Sequence, residues 1–308
     1  MNKVVLIIIY NHQYNKNIEV LERIYKDRFS NIYHLVPFYN GEKQNVIAVY
    51  ESSYYFQGYV SQGLKSYFKE EYTHYFFIAD DLILNPNINE SNYTELLKLG
   101  SNSCFIPGLI TLHERDEWWS RVGDAYRWNI NVNGVEAKNQ LPDYDKALEI
   151  FHKFGLTIKP LRFNQIWKTP KSIYDIAFKV VRDQYYPFRL IICILLNKSY
   201  SLSYPLVGAY SDIFIISSDA IKQLCHYCGV FAATKLFVEI ALPTALVLTA
   251  KEIITEKDLV LRGKALWTKE QLKELDRYGA SLKNLIAEFP GNYLYLHPVK
   301  LSKWNTEL

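Results

Sequence analysis

The sequence predicts an α/β protein: a mixed, mostly parallel sheet flanked by helices, with a helical insertion. Two observations lead there. Short β-branched and aromatic runs alternate with helix-length amphipathic stretches through residues 1–110. Runs such as VVLIIIY are apolar at every position, the mark of strands covered on both faces and joined by helical crossovers.

VVLIIIY is the first strand, and NKNIEVLERIYKDRF, with one apolar stripe, the first helix. NIYHLVPF and NVIAVYES follow as strands, FQGYVSQGLKSYFKEEY as a helix and HYFFIADDLIL as a further strand. NESNYTELLKL reads as a helix capped by Asn89 or Ser91, and SNSCFIPGLI as another strand. From Thr111 to Tyr204 the pattern is less regular: HERDEWWSRVGDAYRWN, an Asn/Gly loop, a helix near Tyr144 to Phe154, and a segment rich in aromatics and cations. Regularity returns with a strand in PLVGAYSDIFII, two apolar helices, a charged helix over TKEQLKELDRYGASLKNLIAEF, and the tail NYLYLHPVKLSKW. The chain thus divides at 1–110, 111–204 and 205–308.

With 308 residues and 49% hydrophobic content the chain can fill a substantial core. A net charge of +3 argues against nucleic acid as the main ligand. Four cysteines, Cys104, Cys193, Cys225 and Cys228, do not form a disulfide pattern and suit the cytoplasm. The opening reads as a strand and not a signal peptide, and FRLIICILL is about half of the ~20 apolar residues a spanning helix needs.

Chemistry concentrates where apolar runs meet acids. Asp80 and Asp81 end a strand, and burying a carboxylate without a partner costs several kcal/mol or more. Ligands of such sheets bind beyond the carboxyl ends of the strands, so Tyr10, Asn11 and His12 after the first strand should share a crevice with the acids. Hard divalent ions take oxygen ligands, and Mg²⁺ or Mn²⁺ commonly uses one or two carboxylates plus substrate phosphates. An acidic turn or helix cap is the competing reading.

FFIADDLIL resembles the acidic strand end of nucleotide-sugar-dependent glycosyltransferases of the GT-A fold. HPVKLSKW resembles the carboxyl-terminal H-x-x-G-x-x-K-P-W element of glycogenin-like and lipopolysaccharide galactosyltransferase-like enzymes. The departures are Ala79 at the first acidic position, Lys300 for the glycine and the absent proline before Trp304. The resemblance implies Asp81 and His297 as ligands of Mn²⁺ or Mg²⁺, Lys303 on the diphosphate, and Asp80 assisting the metal or meeting the ribose. It implies a UDP-sugar or similar donor and a glycan or lipid-linked acceptor, in bacterial surface-polysaccharide or lipopolysaccharide synthesis. Residues 1–110 would be the nucleotide-sugar-binding half, 111–204 an acceptor region, and 205–308 the remainder with the metal- and phosphate-binding tail.

Asp212 precedes an apolar strand, and Glu239 sits in an otherwise apolar helix, where a carboxylate needs a partner or a raised pKa. They stand as candidate catalytic acids, Glu239 as base and Asp212 on the donor sugar, against a structural ion pair for Glu239. HERDEWW and Trp128 read as an acceptor-sugar surface or a tryptophan-anchored loop, and Cys225 and Cys228 as helix-packed thiols. The basic segment 159–198 reads as a solvated helical insertion or a peripheral contact with the inner membrane face. Two rivals remain: a nucleotidyltransferase, which usually carries a Gly-rich phosphate loop not found after the first strand, and a non-catalytic nucleotide- or sugar-binding module.

Overall fold

The computed structural model describes residues 3–114, 120–160 and 201–308. Its strands are β1 (Lys3–Ile9), β2 (Ile32–Pro37), β3 (Val46–Val49), β4 (Tyr72–Ala79), β5 (Ile83–Leu84), β6 (Ser103–Phe105), β7 (Ile110–Thr111), β8 (Val207–Gly208), β9 (Ile213–Ser217), β10 (Glu252–Ile254), β11 (Arg262–Ala265) and β12 (Tyr293–His297). A seven-stranded sheet runs β10-β6-β9-β4-β1-β2-β3. Its pairings are parallel except that β9 is antiparallel to both β4 and β6. The fold is therefore α/β with a mostly parallel mixed sheet.

Both faces are buried, as the unbroken apolar runs require. In β1, Val5, Ile7 and Ile9 enter one core with Tyr59, Val60 and Phe231 from the helices Gln57–Tyr67 and Ile221–Ala233. Val4, Leu6 and Ile8 enter the other with Ile18 and Leu21 from the helix Asn15–Tyr25. A one-residue slip of register would exchange the two sets, so each strand is locked in place. The large sheet draws on both 1–110 and 205–308, while β11, β12 and β5 form a separate three-stranded sheet.

The charged stretch expected as one helix is broken. Lys269–Leu272 gives way to a tighter turn at Lys273–Tyr278, Gly279 takes a left-handed φ of 59°, and a new helix, Leu282–Ala287, starts on the cap Ser281. Glycine adopts that conformation without the steric cost a side chain brings, which makes it a natural stop. The helix expected over NESNYTELLKL shortens to Tyr93–Leu96, because Asn89 and Asn92 spend their side chains on turn hydrogen bonds. Asp80 and Asp81 stand just past β4, in the turn before β5.

Cys225 and Cys228 are buried in the helix Ile221–Ala233, with Cys225 Sγ 3.3 Å from the Tyr67 hydroxyl. Trp128 is anchored, its Nε1 donating to the Thr234 carbonyl at 3.1 Å. Trp118, Trp119, Cys193, FRLIICILL and nearly all of the basic segment lie outside the described residues. Among the described residues no helix is long and apolar enough to cross a membrane.

Candidate functional site

The site is assembled where strand ends meet. The Asp80 N–H donates to Ile9 O at 2.9 Å and the Ala79 N–H to Asp212 O at 2.8 Å, so the carboxyl ends of β1 and β4 and the start of β9 share one edge. After the acids, β5 pairs antiparallel with β12, placing Ile83 opposite Leu296. The Val299 N–H then donates to Asp81 O at 2.7 Å. These main-chain bonds bring His297, at the end of β12, back to Asp81.

Buried Tyr25 and half-buried Arg28 brace the acidic turn and the segment that follows it. The Tyr25 hydroxyl donates to Leu82 O at 3.3 Å and accepts from the Leu84 N–H at 3.1 Å. Arg28 donates to Asn85 O at 2.6 Å and Ile88 O at 2.9 Å.

His297 Nε2 lies 3.2 Å from Asp81 Oδ1 and 3.8 Å from Asp212 Oδ2. The carboxylate side chains keep 23% and 15% of their exposure, so the cluster is partly open to solvent. Burial opposes a charge on His297 but is outweighed by Asp81, Asp212 and Asp80, and its pKa is raised. Burial pushes the Asp212 carboxyl up against the pull of His297, with Asp81 adding to the rise. Asp80 is buried, and burial followed by repulsion from Asp81 pushes it up to about 7. Its carboxylate accepts from Asn17 Nδ2 at 3.2 Å and from the Asn11 backbone.

The other candidates fall into three places. Tyr10 turns into the core, its hydroxyl 2.9 Å from His34 Nδ1, so its side chain is unavailable to a ligand in the crevice. Asn11 is half-buried and His12 exposed on the rim after β1. Lys303 is exposed in the turn Leu301–Lys303 and makes no ion pair among the described residues. Glu239 is half-buried in the first turn of the helix Val238–Thr249, where its carbonyl accepts from the Ala209 N–H at 2.9 Å. Its side chain is not among the groups facing His297 or Asp212. An open cleft of about 540 Å³, lined by Tyr55, Arg127, Trp128 and Lys235 among others, reaches Phe237, the residue capping that helix.

Sequence reasoning missed an aromatic wall. Tyr210 stacks on Tyr295 at 5.6 Å and meets the rings of His297 and Trp267 edge-on at 5.7 and 5.9 Å. A Cβ on Gly263 would fall 2.1 Å from the Tyr295 ring, so the bare backbone of β11 is what lets that ring lie flat. The available signal was a Trp directly before the capping box Thr268–Gln271, at the start of a helix.

Among the described residues, no group of three or more His, Cys, Asp or Glu side chains forms a ready-made cation cage. Two donors do suit an ion. Asp81 Oδ1 is buried without a hydrogen-bond partner, which makes its 3.2 Å contact with His297 Nε2 electrostatic. Donors about 2.1 Å from an octahedral ion sit ~3 Å from their neighbours, close to that separation. One carboxylate and one imidazole fit Mn²⁺ better than Mg²⁺, which takes oxygen donors, with other positions left to substrate oxygens and water. No protein-family model matches the chain, and no curated protein matches it.

Proposed function

We propose that the protein is a metal-dependent glycosyltransferase that moves a sugar from a nucleotide-sugar donor, a UDP-sugar foremost, to a glycan or lipid-linked acceptor. The observation that carries this reading is His297 Nε2 at 3.2 Å from Asp81 Oδ1, at the carboxyl edge of a mostly parallel sheet. Asp81 and His297 would hold Mn²⁺ or Mg²⁺. When bound, such an ion neutralises the charge that grows on a departing nucleoside diphosphate.

The chain's own residues do the rest. Asp80 fixes the acidic turn through Asn17 and the Asn11 backbone, which keeps Asp81 in register with His297. Asp212, with its partly exposed carboxyl beside His297, accepts a hydrogen bond from a donor-sugar hydroxyl. Lys303, on the short turn after β12, supplies a mobile point charge to the diphosphate. Glu239, whose carbonyl accepts from the Ala209 N–H next to Tyr210, serves as the base for the acceptor. A base acting on the acceptor hydroxyl gives inversion at the anomeric carbon. The cytoplasm, with a peripheral approach to the inner membrane face, is the setting this chemistry suits.

One observation favours a second reading. The described residues offer two well-placed ligands and no cage, as a nucleotide- or sugar-binding module without catalysis would. Incubating the protein with a panel of nucleotide sugars, with and without Mn²⁺, separates the two. Release of a nucleoside diphosphate only with Mn²⁺, lost in Asp81→Ala with an unchanged circular dichroism spectrum, supports the transferase. Binding without release supports the module. Release of pyrophosphate from nucleoside triphosphates points to a nucleotidyltransferase.

A further inference from the structure

We infer that Trp267 is the platform on which the pyranose ring of the donor sugar rests, an assignment that builds on the nucleotide-sugar reading. Trp267 is 64% exposed, an unusual place for an indole that serves packing alone. Its position is built and not incidental. The Leu266 N–H donates to His297 O at 2.8 Å, and the Trp267 N–H donates to Gln271 Oε1 at 2.7 Å within the capping box. The indole stands edge-on to Tyr210 at 5.9 Å and 6.0 Å from the His297 ring.

The surroundings select the ligand. A sugar ring has an apolar C–H face that packs on a flat aromatic and hydroxyls at its rim that need acceptors. Both are present here: the indole supplies the face, and Asp212, beside the same imidazole, supplies a partly exposed carboxylate. The sugar of a nucleotide sugar is bonded directly to the diphosphate. With the phosphates at Asp81, the sugar on one side and the ribose on the other are the parts of the donor nearest them, and of the two the pyranose has the broad C–H face that an indole packs on. The nucleobase is separated from the phosphates by the ribose and lies farther along.

The test compares matched pairs of probes by isothermal titration calorimetry in Mn²⁺: UDP-, GDP- and dTDP-linked hexoses against UDP, GDP and dTDP. Wild type, Trp267→Ala and Trp267→Phe are measured. The expected result is that Trp267→Ala weakens the best-binding nucleotide sugar about tenfold, leaves its nucleoside diphosphate within twofold, and is largely rescued by Trp267→Phe. The unchanged nucleoside diphosphate shows that the variant is folded. Equal losses for both members of the pair, or no loss for either, overturn the platform and leave the nucleotide-sugar reading standing. A wild type that binds none of the probes overturns both.

Discussion

Asp81→Asn keeps the shape of the acidic turn and removes the one charge that lies 3.2 Å from His297 Nε2, leaving Asp212 at 3.8 Å. Asp81 and His297 supply two ligands, so about four of six positions around an octahedral ion belong to water or substrate. Metal and nucleoside diphosphate should each bind weakly alone and strengthen one another by the same factor. Couplings of this kind run to about 1–3 kcal/mol, or ~5–150-fold in affinity. At a ligand concentration ~100 times Kd the folded state gains about 2.7 kcal/mol. At about 2.1 cal/mol/K of unfolding entropy per residue, each kcal/mol raises the Tm of this 308-residue chain by ~1.5 °C, giving a rise of roughly 4 °C. Thermal denaturation with Mn²⁺, UDP, both and neither should show that rise only for the pair in wild type, and most of it lost in Asp81→Asn. A variant with the full paired rise would refute the role given to this carboxylate.

Three further outcomes follow from the geometry. His34 is fully buried, and burial followed by Lys43 outweighs the favourable pull of Glu22, lowering its pKa from 6.5 to about 4. Below pH 6.5 the unfolded chain takes up a proton the folded one refuses, so the contribution of this one group is complete above that pH and falls by about 3 kcal/mol as pH drops through 4. Asp80, pushed up to about 7, gains stability over the same range, so the loss is read as a difference: urea titrations at pH 7 and 4.5 should show wild type losing about 3 kcal/mol more than His34→Gln. Tyr25→Phe leaves Leu82 O and Leu84 N without their shared partner and should cost about 1–3 kcal/mol in urea while weakening Mn²⁺-dependent UDP binding. Gly263→Ala forces the Tyr295 ring off β11, and calorimetric titration should show weaker nucleotide-sugar binding through the displaced Tyr210.

The sheet was legible because strands buried on both faces must be apolar at every position, and β1, β4 and β9 are nearly so. The meeting of Asp81 with His297 was anticipated only by comparing two short motifs. Nothing local in Ile83–Leu84 or Tyr293–His297 announces that the two will pair antiparallel. Tyr10 shows the opposite failure. Its place after a strand suggested the crevice, yet its ring completes the core and its hydroxyl is spent on His34. The wall of Tyr210, Tyr295 and Trp267 joins three segments distant in the chain, and no periodicity within any one of them encodes the contact.

The most direct measurement is anomalous diffraction at the manganese edge from a crystal soaked with Mn²⁺ and UDP. The expected result is one strong peak about 2.1 Å from both Asp81 Oδ1 and His297 Nε2, with diphosphate oxygens completing the shell. UDP bound with no manganese between Asp81 and His297, or manganese bound elsewhere on the protein, would contradict it.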